Sequence, residues 1–315
     1  MNFKTFKVIN LLSIHKKKLL VGLSMLLCFC SAKAQQFFSY SQYMNNLAPL
    51  NPAYSLIDKN GSVNALLRRQ WVGIEGSPST FIFNGNLPIE SINASAGLIV
   101  MNDQFAVEHL TEINGFFAKG IQLGRNSYLG VSLNAGIRRY VANYSSLDGT
   151  DPLFRNDIRE NKPNIGFGVM FYSDHYYLGI SAPELSITQL GNASVQNIDY
   201  FRNHYNFAGA YLFGSEDDDV RAKPAALATY TKGVPFIMDF STTLYLKNTL
   251  GIGANYRSNN EMSGIISVTS DVIKLGYSYQ FGTASNNLGG RLSNATHEVT
   301  LTYRFGNHLL SKSIL

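Results

Sequence analysis

Near its C-terminal end the chain reads "HEVTLTYRF", and this stretch constrains the fold more than any other. In an extended chain His297, Val299, Leu301, Tyr303 and Phe305 fall on one face, and Glu298, Thr300, Thr302 and Arg304 on the other. "IKLGYSYQF" repeats the rule, with Ile273, Leu275, Tyr277, Tyr279 and Phe281 opposed by Lys274, Gly276, Ser278 and Gln280. Leu129, Val131, Leu133, Ala135 and Ile137 likewise oppose Gly130, Ser132, Asn134, Gly136 and Arg138. From Gly61 onward about fourteen segments follow this period of two, and none sustains the i, i+3, i+4 spacing of an amphipathic helix. Many have the roughly 9–11 residues that a tilted strand needs to cross a hydrocarbon layer.

A soluble sandwich also alternates apolar-in and polar-out, so the character of the second face decides. Here it is dense in Gly, Ser, Thr and Asn, and Asp, Glu, Lys and Arg make up only 15% of the chain, against about 25% in ordinary domains. The 18 tyrosines and 20 phenylalanines gather near segment ends, as in the aromatic girdles of membrane barrels. The gaps between segments add parity. Long ones near 142–162, 182–202 and 283–293 follow odd-numbered segments, while tight ones at 173–175, 247–248 and 270–271 follow even-numbered ones. Long external loops and short periplasmic turns at opposite ends give this pattern.

Hydrocarbon offers no partner to an unpaired backbone group, so such a sheet must close on itself. The expectation is an all-β, transmembrane outer-membrane β-barrel of about 14 antiparallel strands over residues 61–306. About eight strands already leave an interior that side chains fill, so a ring of this size needs something else in its lumen or is a channel.

The chain before the barrel divides in two. Lys16, Lys17 and Lys18, the apolar run Leu19–Cys30 and the small-x-small Ala32-Lys33-Ala34 form a secretory signal, cut after Ala34. The run is too short to span a bilayer. Neither Cys28 (after Leu27) nor Cys30 (after Phe29) has the small preceding residue of a lipidation site. Six of the 26 basic residues and no acid lie in 1–34, which leaves 20 basic against 21 acidic residues. The apparent pI of 9.0 therefore belongs mostly to the signal, and nucleic-acid binding loses its compositional support. Both cysteines leave as well, so no disulfide or thiolate metal site is expected. Residues 35–60, with "SQYMNNLAPLNPAYSLI", are poor sheet material because Pro49 and Pro52 lack donors. They are expected to fold inward as a plug or lid. Residues 307–315 form a tail.

Several runs carry a resemblance: "FSYSQYMNNLAPLNPAYSLI", "LLRRQWVGIEGSPSTFIFNGNLPI", "LIVMNDQF", "KPNIGFGVMFYSDHYYLGISAPEL" and "ATHEVTLTYRF". In this order they resemble the PorP/SprF family of outer-membrane proteins of the type IX secretion system of the Bacteroidetes. The resemblance implies a non-enzymatic barrel that serves secretion or surface attachment of large adhesins, some used in gliding. Its implied partners are the adhesin C-terminal domain, other secretion components and outer-membrane lipids, with no nucleic acid and no cofactor. The family signature falls on Ser41, Gln42, Tyr43, Met44, Asn51, Pro52, Ala53 and Tyr54, and on Arg68, Gln70, Trp71 and Gly73. The chain departs from the family pattern at Asn45–Ala48.

Other candidates read plainly. Trp71 beside Arg68 and Arg69 is a passenger contact or, preferably, an interface anchor with positive charges at the membrane rim. The acidic Glu216–Asp219 lacks the spaced ligands and glycine of a calcium loop and reads as a solvated turn. His109, His175, His204, His297 and His308 have no metal-pair spacing, and no nucleophile motif accompanies them. The glycines of "IGFGV" read as small lumen-facing positions that let a neighbouring chain approach. A passive porin or a transporter of small apolar molecules shares the fold and remains the alternative function.

Overall fold

The computed structural model describes residues 39–147, 151, 155–186, 201–282 and 295–306. The expected signal at 1–34, much of the loops at 182–202 and 283–293, and the tail 307–315 lie outside the described residues.

Fourteen strands carry the alternating segments: β1 Gly61–Arg69, β2 Ser79–Ile89, β3 Ala94–Phe105, β4 Glu108–Gln122, β5 Tyr128–Ala142, β6 Ile158–Tyr172 and β7 Tyr176–Ser186, then β8 His204–Tyr211, β9 Val220–Thr231, β10 Ile237–Leu246, β11 Leu250–Arg257, β12 Glu261–Thr269, β13 Ile273–Gly282 and β14 Thr296–Phe305. Each pairs antiparallel with its sequence neighbours, and β1 pairs with β14 from Gly61↔Phe305 to Arg69↔His297. The ring is closed, so no strand stands at an open edge of the sheet.

Alternation assigns the two faces. On β14 Val299, Leu301 and Tyr303 are exposed on the outside, whereas Glu298, Thr300 and Arg304 are buried within. The same holds around the ring: Leu133, Ile137, Phe167, Ile180, Phe207, Phe240, Ile252 and Leu275 all point outward. In water such an apolar girdle would be a large exposed patch, and in a bilayer it is the solvated face.

The connections keep the parity read from the sequence. The gaps at 143–157, 187–203 and 283–295 follow the odd strands β5, β7 and β13, while 173–175, 247–249 and 270–272 follow even ones. In the tight β10–β11 turn Lys247 and Asn248 have φ of 49° and 55°, the pair of left-handed residues of a type I′ hairpin whose twist matches the strands. One boundary moves. β6 starts at Ile158, upstream of the 163 at which alternation becomes legible. Among the described residues its pairing with β7 begins at Asn164 and the earlier ones pair with β5 alone, a setting that tolerates Pro163.

Leu301 lies midway along β14 with its side chain outside. Leu301→Arg is expected to destabilise the barrel by about 2–4 kcal/mol, read by denaturant titration in phospholipid vesicles. Thr300→Ser on the inner face should cost less than about 1 kcal/mol.

Candidate functional site

The lumen is occupied by the segment that precedes β1. Its backbone has no sheet partner, and its prolines and asparagines build local turns instead. Tyr43–Asn45 forms one 3-10 turn and Pro52–Leu56 another, with Pro52 at the first position where its missing N–H costs nothing. Asn51 caps the second turn by accepting the Ala53 N–H at 3.1 Å. Tyr43, Met44, Leu47 and Ala53 are wholly buried and form one core with inward-facing Leu66, Ile82, Met101, Met170, Tyr177, Leu227 and Ile265.

Polar groups of the wall hold this segment at three levels. Nearest the long-loop end, the Glu298 carboxylate accepts the Ser41 N–H at 2.9 Å, the Gln42 N–H at 2.8 Å and the Arg68 guanidinium at 3.0 Å. Arg68 also donates to Gln280 Oε1 at 2.8 Å, which in turn accepts the Ser41 hydroxyl at 3.1 Å. The Ser263 hydroxyl meets that of Ser41 at 3.0 Å, and Asn255 donates to the Ser41 carbonyl at 3.3 Å. Beside them Arg257 pairs with Asp239 at 2.8 Å and Glu261 at 3.3 Å. Arg68 and Glu298 are both almost fully buried. A charge there is sustained only with its partners and its hydrogen bonds in place, so pair and segment depend on one another.

At mid-depth Asn46 donates to Asn84 at 2.6 Å, and toward the short turns Lys223 donates to the Met44 carbonyl and Lys274 to Asn45 Oδ1, each at 2.8 Å. On β6 and β7, Asn51 donates to the carbonyls of Val169 and Ile180 at 3.2 and 3.3 Å, and the Ser181 hydroxyl donates to the Leu50 carbonyl at 2.7 Å. Two wall glycines permit this closeness. A Cβ on Gly168 would lie 2.2 Å from Asn51 Oδ1, and one on Gly276 2.2 Å from Gln42 Oε1. Burial raises the phenols of Tyr40, Tyr43 and Tyr54 above their ordinary value, so they stay neutral within the lumen.

The signature residues divide accordingly. Ser41, Gln42 and Arg68 converge on Glu298; the Tyr43 hydroxyl donates to the Asp239 carbonyl at 3.3 Å; and the Tyr54 ring meets Tyr177 edge-on at 5.6 Å. Gln70, Trp71 and Gly73 lie in the β1–β2 connection, where Gln70 N–H donates to Pro78 O at 2.9 Å and Trp71 and Gly73 take φ of 46° and 94°. Reading Arg68 as a rim charge is corrected here: it points into the lumen, and Arg69, on the other face, points out. Alternation places Glu298 and Gln280 on the inner face, but nothing local marks them, or Asp239 and Lys223, as partners of the segment.

Inward charges separate by depth. Toward the long loops stand Asp103, Glu112, Glu184, Asp239, Glu261 and Glu298 against Arg68, Arg138 and Arg257; toward the short turns stand Lys223, Lys274 and Arg304 against Asp58. A second cluster near the long loops joins Arg138 to Glu112 at 2.5 Å and to Glu184 at 3.4 Å, with His204 Nδ1 on Glu184 at 2.6 Å. Among the described residues no group of His, Cys, Asp or Glu is arranged to hold a metal. In the acidic turn Asp218 accepts the Ser215 N–H at 2.7 Å.

Comparison with known families decides the affiliation. The family model described as type IX secretion system membrane protein PorP/SprF matches residues 32–303. The chain belongs to the PorP/SprF family. It is thus an outer-membrane barrel with a role in type IX secretion. No curated protein matches the sequence. Among solved structures it is similar to the outer membrane protein Omp33 of Acinetobacter baumannii, with 8% identity over 79% of this chain and 99% of that one and a TM-score of 0.45. It is also similar to the toluene transporter TodX of Pseudomonas putida, with 9% identity over 82% and 93% and a TM-score of 0.46. Family membership rests on the sequence match and not on these likenesses.

Arg68→Met strands the buried Glu298 carboxylate and is expected to destabilise by about 3–5 kcal/mol, whereas Arg68→Met with Glu298→Leu should recover part of that loss in the same denaturant titration. Gly276→Val is expected to expel Gln42 and make the segment susceptible to protease. Because the tyrosine phenols ionise more readily outside the lumen than within it, susceptibility should also rise as pH climbs past the ordinary tyrosine value of 10.0.

Proposed function

We propose that this barrel is a non-enzymatic component of the type IX machinery that supports the secretion or surface attachment of large adhesins, gliding adhesins among them, with residues 35–60 as a plug of its lumen. The observation that carries this reading is the signature segment, which a diffusion pore has no use for. It lies buried along the lumen and is bonded to eight different strands at Glu298, Gln280, Ser263, Asn255, Lys223, Asn84, Val169 and Ile180. An invested seal of this kind suits a barrel that holds a protein partner while the membrane stays closed.

In this reading residues 1–34 are removed on export, and the short turns and the two chain termini of the barrel face the periplasm. The opposite end of the ring, where β5 and β7 finish and the sequence places the long loops 142–162 and 182–202, is the surface for the adhesin C-terminal domain. Other secretion components and outer-membrane lipids are the remaining partners.

Deletion of 36–58 is expected to turn a silent barrel into a conducting one in planar bilayers, and unchanged conductance removes the plug. Pull-down of the tagged protein from outer membranes should bring down adhesin C-terminal domains or secretion-system lipoproteins. A lone barrel that swells liposomes would instead favour a porin or transporter of small molecules.

A further inference from the structure

On the outward surface of β3–β6 the apolar rows stop before the strands do. Val100, Ile113, Ile137 and Pro163 stand side by side on that surface. Two positions nearer the long-loop end the same surface carries Asn102, Thr111, Arg139 and Asn161, and two positions further Gln104, His109, Val141 and Arg159. The change belongs to one sector. Across the ring the outward positions of β11 and β12 carry no charge up to Tyr256 and Met262, the pair next to their last one at the same end.

Arg139 and Arg159 are both exposed. Asn161 pairs with Arg139 and lies two positions after Arg159, so the arginines are diagonal cross-strand neighbours, about 7–8 Å apart. Every acid of these four strands occupies an inward position and has a partner: Asp103 accepts the Thr80 hydroxyl, Glu108 that of Tyr144, Glu112 pairs with Arg138 and Glu160 with Lys162. Asp157, two positions before Arg159 and within reach of its charge, is engaged by the Ser145 N–H and hydroxyl at 3.1 and 2.9 Å. An outward barrel surface meets acyl chains where it is apolar and headgroups where that character ends. Two neighbouring guanidiniums directly beyond a row of isoleucines match a molecule that is an anion at one end and hydrocarbon at the other, and guanidinium forks suit phosphate oxygens.

We propose that the outward surface of β3–β6 seats a phosphorylated lipid, with its phosphate on Arg139 and Arg159 and its acyl chains along Ile137 and Ile113. Asn161, in register between the two arginines, stands beside the phosphate as a further donor. The patch is continuous with the lipid-covered girdle, which favours lipid over protein as its occupant. Such a seat makes the lipid partnership proposed above specific; it rests on the barrel standing in that membrane and is independent of any adhesin.

The full mature barrel, in a phosphate-free non-ionic detergent, is titrated with dipalmitoyl phosphatidic acid and separately with dipalmitoylglycerol, and bound lipid is counted by native mass spectrometry. Phosphatidic acid is expected to add as a discrete adduct whose affinity falls about tenfold in Arg139→Gln with Arg159→Gln, while dipalmitoylglycerol is expected to add none. Arg69→Gln, which removes an outward arginine on β1 outside this sector, should leave the affinity unchanged. An unaltered denaturant midpoint in the double variant shows that its loss is not misfolding, since both side chains are exposed. Equal affinity in the double variant, an equal loss in Arg69→Gln, equal binding of the two lipids, or displacement by equimolar inorganic phosphate would overturn the assignment. So would the double variant losing a protein from the pull-down above while it keeps its lipid affinity, because the surface would then belong to a protein partner. The lipid count on the isolated barrel is indifferent to the adhesin reading, so either can fail without the other.

Discussion

Everything in this molecule follows from the inability of lipid to hydrogen-bond a peptide group. A sheet placed in hydrocarbon must satisfy each N–H and C=O within itself, and here that requirement is met when β14 returns to β1 along nine paired residues, Gly61 to Arg69. Closure fixes the two faces at once. The outer one is apolar because its solvent is, and the inner one is polar. Fourteen strands leave an interior that wall side chains cannot fill, and the chain's own leading segment lies in it.

The filling is specific where it is charged. Glu298 receives two backbone N–H groups and a guanidinium, so one wall carboxyl fixes both the start of the segment and the inward turn of Arg68. Apolar contact of Met44, Leu47 and Leu56 with the wall supplies burial without direction; the carboxylate and the lysine contacts supply register. Toward the short turns Lys223 donates to Met44 O, Lys274 to Asn45 Oδ1 and Arg304 to Asp58, so charge-assisted bonds hold the segment at both ends.

How much of this is legible in the sequence depends on distance along the chain. Strands declare themselves because a neighbour two positions away shares their face, and each of the fourteen strands overlaps a segment that alternation marks, although β6 begins upstream of its legible part. The partnership of Arg68 with Glu298 spans 230 positions and leaves no local mark. In "ALLRR" the period of two is silent, since Leu66 and Leu67 are both apolar and Arg68 and Arg69 both basic; only the register with β14 turns Arg68 inward. Asn45 and Asn46 meet the wall at Lys274 and Asn84, a role that composition alone does not reveal.

The most direct test of a segment lodged inside a sealed ring uses the absence of cysteine after residue 34. The hydroxyls of Ser41 and Ser263 lie 3.0 Å apart, so Ser41→Cys with Ser263→Cys should form a disulfide under mild oxidation in native outer membranes. Leu67→Cys with Val299→Cys, paired across the β1–β14 seam, provides the control for closure. Both cross-links forming is the predicted result; a cross-linked seam with the thiols introduced at Ser41 and Ser263 both left free would contradict the account.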